Sequence, residues 1–90
     1  MNNAHQSLIT QDVLFSELLC NREIEIELDG VTYFIEPQTA RDSIQQFAVW
    51  EVSLHQRLFI GTIEELFQYA FPNSRSLAHD FSFFNILYIY

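Results

Sequence analysis

Glu23-Ile24-Glu25-Ile26-Glu27-Leu28 alternates acid and aliphatic without a break, stops at Asp29-Gly30, and gives way to Val31-Thr32-Tyr33-Phe34-Ile35. A period of two is the mark of a strand with one buried face. Asp-Gly between two such runs is the preferred two-residue hairpin turn, whose backbone needs positive φ at both positions. With that turn Leu28 faces Val31, Ile26 faces Tyr33 and Ile24 faces Ile35, all six on one side of the ribbon. The other side pairs Glu27 with Thr32, Glu25 with Phe34 and Glu23 with Glu36. A slip of one residue would bury the glutamates, so the pattern specifies the register.

On the N-terminal side of this hairpin, Thr10 is placed to cap a helix from Gln11 to Cys20, with Asp12 in its first turn. Ile9 and Leu14 have the spacing of a hydrophobic staple, Leu14, Phe15, Leu18 and Leu19 form an apolar stripe, and Asn21 is the stop. Residues 1–9 are polar and without period, and are expected to be flexible. On the C-terminal side, Pro37 is expected to end the second strand, and residues 38–45 read as a polar loop or a short turn of helix. Ala48, Trp50, Val52 and Leu54 alternate as a third strand, His55-Gln56 turns the chain, and a short fourth strand runs through Leu58 and Ile60. Thr62 and Glu65 fit a capping box for a second helix whose buried stripe is Ile63, Leu66, Phe67 and Ala70, stopped by Pro72. Phe83 to Tyr90 reads as a last strand, apolar on both faces and so interior or covered. The expectation is one α+β domain over residues 1–90: a small, mainly antiparallel sheet of about five strands with two helices, in the order α-β-β-β-β-α-β.

Ninety residues suit one core, and 49% apolar residues supply it. Twelve acids stand against four arginines, with a formal net charge of −8. Nucleic acid and anionic membrane are poor partners for such a chain, because both are bound chiefly through cations. A basic protein surface is the complementary partner; the plain alternative is that the charge only keeps an aromatic-rich domain soluble. No basic-then-apolar leader opens the sequence and no stretch has the length of a membrane span, so a cytoplasmic setting is expected. Cys20 is the only cysteine, which leaves no internal disulfide.

Catalytic patterns are missing where they would be sought. Cys20 has Arg22 nearby but no surrounding nucleophile signature. His5, His55, His79 and Cys20 form no close-spaced ligand pair, and two glycines cannot build a phosphate loop. The chain is therefore read as a non-enzyme without metal or cofactor, a metal-dependent protein being the lesser alternative.

Two surfaces remain. In a strand, alternate residues share a face about 6.5–7 Å apart, so Glu23, Glu25, Glu27 and Asp29 make a row of negative charges at a spacing close to that of strand phosphates. A cationic groove that tracks a nucleic-acid backbone can accept such a row, with Phe34 as an apolar anchor and Glu36 beside it. The other reading of the row is the solvated side of an ordinary hairpin. The second surface is the cluster Phe81, Phe83, Phe84, Tyr88 and Tyr90, read as core, or as a homodimer contact if its strand is an edge.

The run Phe15 to Glu25 leading into Asp29-Gly30, with Trp50-Glu51 and Ile63-Glu64-Glu65-Leu66, resembles small acidic uncharacterised proteins of bacteriophages and mobile elements of Firmicutes. The likeness covers roughly residues 14–78 and rests on an arrangement and a few dipeptides. Anti-CRISPR proteins are found in that group, so the resemblance implies an inhibitor of host defence acting in the bacterial cytoplasm. The functional expectation is an inhibitor or modulator that binds a basic nucleic-acid-handling protein, such as a CRISPR effector nuclease. Its contacts are Glu23, Glu25, Glu27, Asp29, Phe34 and Glu36. The alternative is a structural or adaptor module, homodimeric through the C-terminal strand.

Overall fold

The computed structural model describes residues 9–41 and 44–90, with the side chains of residues 39–41 left aside. Helix α1 (Gln11–Leu19) is followed by strands β1 (Ile24–Leu28), β2 (Val31–Arg41), β3 (Ile44–Glu51) and β4 (Gln56–Gly61), helix α2 (Ile63–Gln68), a 3-10 turn at Phe81–Phe83, and strand β5 (Phe84–Ile89). The five strands form one antiparallel sheet in the order β4-β3-β2-β1-β5. The α+β class and the element order are those the sequence predicts. Residues 1–8 lie outside the described chain, as does the expectation that they are flexible.

The hairpin forms in the expected register, Leu28 opposite Val31 and Ile24 opposite Ile35. Asp29 and Gly30 both take positive φ, 52° and 83°, as the two-residue turn demands. Ile24, Ile26, Leu28, Tyr33 and Ile35 are buried on one face, and Phe47, Val49, Phe84 and Ile86 extend that face across the neighbouring strands. Leu14 and Leu18 of α1, Ile63, Leu66 and Phe67 of α2, and Phe71 and Leu77 of the following loop complete the core. Phe71 is its aromatic hub, with ring centroids 5.0 Å from Tyr33, 4.9 Å from Tyr69 and 5.1 Å from Phe84. The loop is held down as well by the Gln11 side chain, which donates to the carbonyls of Leu77 at 2.6 Å and Ala78 at 3.1 Å.

Both predicted caps are present: Thr10 accepts from the Val13 amide, and Thr62 and Glu65 close a reciprocal capping box. The stripes are narrower than expected, however. Leu19 is exposed, because it sits in the last residue of α1 where the helix leaves the sheet, and Cys20 caps the helix rather than extending it. Ala70 is exposed because α2 ends at Gln68, before the residue reaches the stripe.

Three strand boundaries also depart from expectation. Pro37 does not end β2, which continues to Arg41 with Pro37 opposite Phe47. The physical reason is that β1 ends at Ile24, opposite Ile35, so β2 has a free side at Pro37, where a missing N–H disrupts no ladder. Residues 38–41 and 44–45 are consequently strand, not loop, with residues 42–43 outside the described chain. Strand β3 starts at Ile44 and ends at Glu51, and Val52 to Leu54 belong to a turn with His55 at φ 50°. Finally, β5 is an edge strand rather than an interior one.

Each edge strand carries a register shift. Opposite Glu25 and Ile26 of β1 stand Tyr88 and Ile86, which leaves Leu87 unopposed. Opposite Val49 and Trp50 of β3 stand Phe59 and Arg57, which leaves Leu58 unopposed. An inserted residue reverses the alternation beyond it. In β5 it sends Phe84 and Ile86 to the core but Tyr88 and Tyr90 to the opposite, open face of the sheet, where both are exposed.

Candidate functional site

The open face is built from the alternate residues of the three central strands and the end of β5. Glu25 and Glu27 project from β1, cross-strand from Phe34 and Thr32 of β2. Phe34 in turn stands directly opposite Trp50 of β3, and Glu36 opposite Ala48. Phe34 and Tyr90 rings lie 5.9 Å apart, and Tyr90 lies 6.0 Å from Tyr88. The face is thus an aromatic platform edged by carboxylates.

Those carboxylates meet neutral donors. The Tyr90 hydroxyl donates to Glu25 Oε1 at 2.9 Å and the Asn85 amide donates to Glu27 Oε1 at 3.3 Å. Among the described residues the ion pairs are Arg22 with Glu17 and Arg75 with Asp80, neither of which is on this row. The bond to Glu25 raises the Tyr90 phenol above its ordinary pKa, because its proton is held by an anion.

Of the six predicted contact residues, Glu25, Glu27, Phe34 and Glu36 share this face. Glu23 lies just before β1 and is exposed; it is not paired with Glu36, and its carbonyl instead accepts the Tyr90 amide at 2.8 Å. Asp29 leaves the row. Its carboxylate accepts from Asn73 on the loop that packs over the core, and the phenol of Tyr33, raised first by burial and then by Glu51 and Tyr69, feels its charge as the smallest contribution. The positive φ of the turn is what swings it there.

Between Phe34 and Trp50 the face is hollowed into a groove of about 290 Å³, bordered also by Glu25, Glu36, Val52 and His55. Glu51 reaches its margin from the other parity of β3, next to Tyr33 in the ladder. The indole nitrogen of Trp50 is buried and meets no hydrogen-bond acceptor. A buried unmet donor costs about 1–3 kcal/mol, and such groups in native folds call for an explanation.

No family model, curated protein or solved structure matches the chain.

This groove was not legible in the sequence, although Trp50 and Phe34 are. What joins them is the β2–β3 register, and that is set by strand running through Pro37. The second surface divides. Phe84 is core and Phe81 is half-buried, whereas Phe83, Tyr88 and Tyr90 are exposed, so the core reading fails for three of the five rings. A wider hollow of about 880 Å³ runs along β5 between Thr10, Phe81, Asn85 and Leu87. Among the described residues no group of three or more His, Cys, Asp and Glu is arranged to hold a metal ion, and no helix is long and apolar enough to cross a membrane.

Proposed function

We propose that this chain works by binding a basic protein surface, as an inhibitor or modulator of a nucleic-acid-handling protein. A CRISPR effector nuclease is the example that its resemblance to phage and mobile-element proteins implies, which would put its action in the bacterial cytoplasm. The observation that carries the reading is the pair Glu25 and Glu27, side by side on an open sheet face, hydrogen-bonded to neutral groups and unpaired with any cation among the described residues. In a chain of net charge −8, where these two carboxylates meet neutral donors but no cation among the described residues, an outside cation is their natural complement. Their strand spacing of about 6.5–7 Å suits a groove that otherwise follows phosphates.

The test is capture of partners from nuclease-treated bacterial lysate on the tagged protein, eluted with rising salt and identified by mass spectrometry. A nucleic-acid-binding protein released at moderate salt and lost by a Glu25→Lys/Glu27→Lys variant is the expected result. Undiminished capture by that variant rejects the reading.

The position of β5 favours a second reading. It is an edge strand, and Phe84 to Tyr90 contains no charge, proline or glycine to discourage pairing. A homodimer joined edge to edge through β5 would leave the acidic face free and act as an adaptor. Mass in solution separates the two readings, since this one requires a stable dimer.

A further inference from the structure

We infer that the groove between Phe34 and Trp50 is a seat for an arginine side chain of the partner protein. The inference rests on the binding role proposed above and names the chemistry of its central contact. Phe34 and Trp50 are direct cross-strand neighbours, so both side chains project from one face of the sheet, where both line the groove. Glu25 is the cross-strand neighbour of Phe34 on the other side, and Glu36 is the next residue of β2 on that face. A volume of about 290 Å³ lies at the floor of the range for small-molecule sites, about 300–1,000 Å³, and suits one long side chain.

The lining selects a cation, and a flat one. An aromatic face attracts a cation within about 6 Å of its centre, Trp most strongly. Guanidinium stacks on such rings while its edge donates to carboxylates, a combination that the compact ammonium of lysine does not reproduce. The same three-part contact occurs among the described residues of this fold. Arg75 lies 3.5 Å above the Phe83 ring and 3.6 Å from the Asp80 carboxylate. At the groove the ring and the acids are present, and the guanidinium is the missing member. Arg57 is the internal cation nearest in the ladder, opposite Trp50, yet it does not line the groove.

Trp50 is the only tryptophan, so its fluorescence reports on the groove alone. The wild-type chain is titrated with acetyl-Gly-Arg-Gly-amide and with analogues carrying lysine or uncharged citrulline in place of arginine. The expected result is a saturable change for arginine, at least threefold weaker binding for lysine, and no saturable change for citrulline. Glu25→Gln and Glu36→Gln are each expected to weaken arginine binding roughly fivefold, and Glu64→Gln, exposed on α2 and off the groove, to leave it within twofold. Arg57→Ala is expected to leave it equal or tighter. A response that does not saturate, or one shared by citrulline, overturns the seat.

A captured protein partner then tells the two proposals apart. If Phe34→Leu, verified as folded by circular dichroism, still captures it fully while Glu25→Lys/Glu27→Lys does not, the seat fails and the acidic-face reading stands. If the peptide binds but no basic partner is captured, the reverse holds.

Discussion

The Tyr90 hydroxyl donates to the Glu25 carboxylate at 2.9 Å across the β1–β5 seam, on the face turned away from the core. It can do so only because Leu87 is unopposed in the ladder and reverses the alternation of β5. Without that inserted residue Tyr90 would point toward the helices. The bulge therefore places a neutral donor on Glu25, a residue that borders the groove.

Replacing Tyr90 with Phe keeps the ring packed near Phe34 and removes only the donor. The bond is exposed to solvent, so the thermal midpoint is expected to stay close to that of the wild type. In an absorbance titration of the phenols, the variant should lose a transition lying above the ordinary tyrosine value of about 10. Loss of a transition below that value would contradict the bond.

Alkaline pH should unfold this protein more readily than acid chemistry at the groove would suggest. Burial raises the phenols of Tyr33 and Tyr69, and the Glu25 bond raises that of Tyr90. A group whose folded pKa exceeds its unfolded one stabilises the fold fully below the unfolded value, about 10, and the contribution disappears as pH climbs through the folded value. Stability is thus expected to be level from neutral pH to about 9 and to fall beyond 10. Denaturant midpoints across that range check it, and Tyr69→Phe should make the fall shallower.

The two glycines test different physics. Gly30 sits at φ 83° with open space around it, so Gly30→Ala suffers only the left-handed backbone penalty, about 1–2 kcal/mol; Asn in its place should cost less. Gly61 is limited by space, since a Cβ there would come within 2.6 Å of Glu65 Oε1 and 2.7 Å of the Phe59 ring. Gly61→Ala must displace the capping glutamate and the ring together. It is expected to cost more than Thr62→Ala, a loss of about 1 kcal/mol for the cap alone. Equal losses in the two variants would show that Phe59 yields freely.

What could be read from the chain depended on how local the determinant was. The Asp29-Gly30 hairpin, both caps and the buried side of β1 follow from residues within a few positions of one another, and all formed as read. Phe71 and Leu77 were passed over because they lie in an irregular loop with no period, although the first is the centre of the aromatic core. Tyr88 and Tyr90 alternate smoothly with Phe84 and Ile86 in sequence; nothing local marks Leu87 as the inserted residue. The open-face carboxylates were visible, but their company of Phe34, Trp50 and Tyr90 is a product of long-range register.

The acidic row should betray itself in the salt dependence of stability. Charges about 6.5–7 Å apart on one strand repel strongly when the Debye length is about 30 Å, near 0.01 M salt, and weakly when it is about 3 Å, near 1 M. Glu25 and Glu27 have no cation partner among the described residues to offset that repulsion. The wild-type thermal midpoint should therefore rise with added sodium chloride, and Glu25→Lys/Glu27→Lys should show a flatter rise while folding at least as stably at low salt. Surface changes of this sort otherwise shift stability by no more than about 0.5 kcal/mol, so the variant used to test binding remains a folded protein. Parallel slopes for the two proteins would mean that the repulsion is spread over the whole acidic surface, and the row would lose its claim to be a distinct local feature.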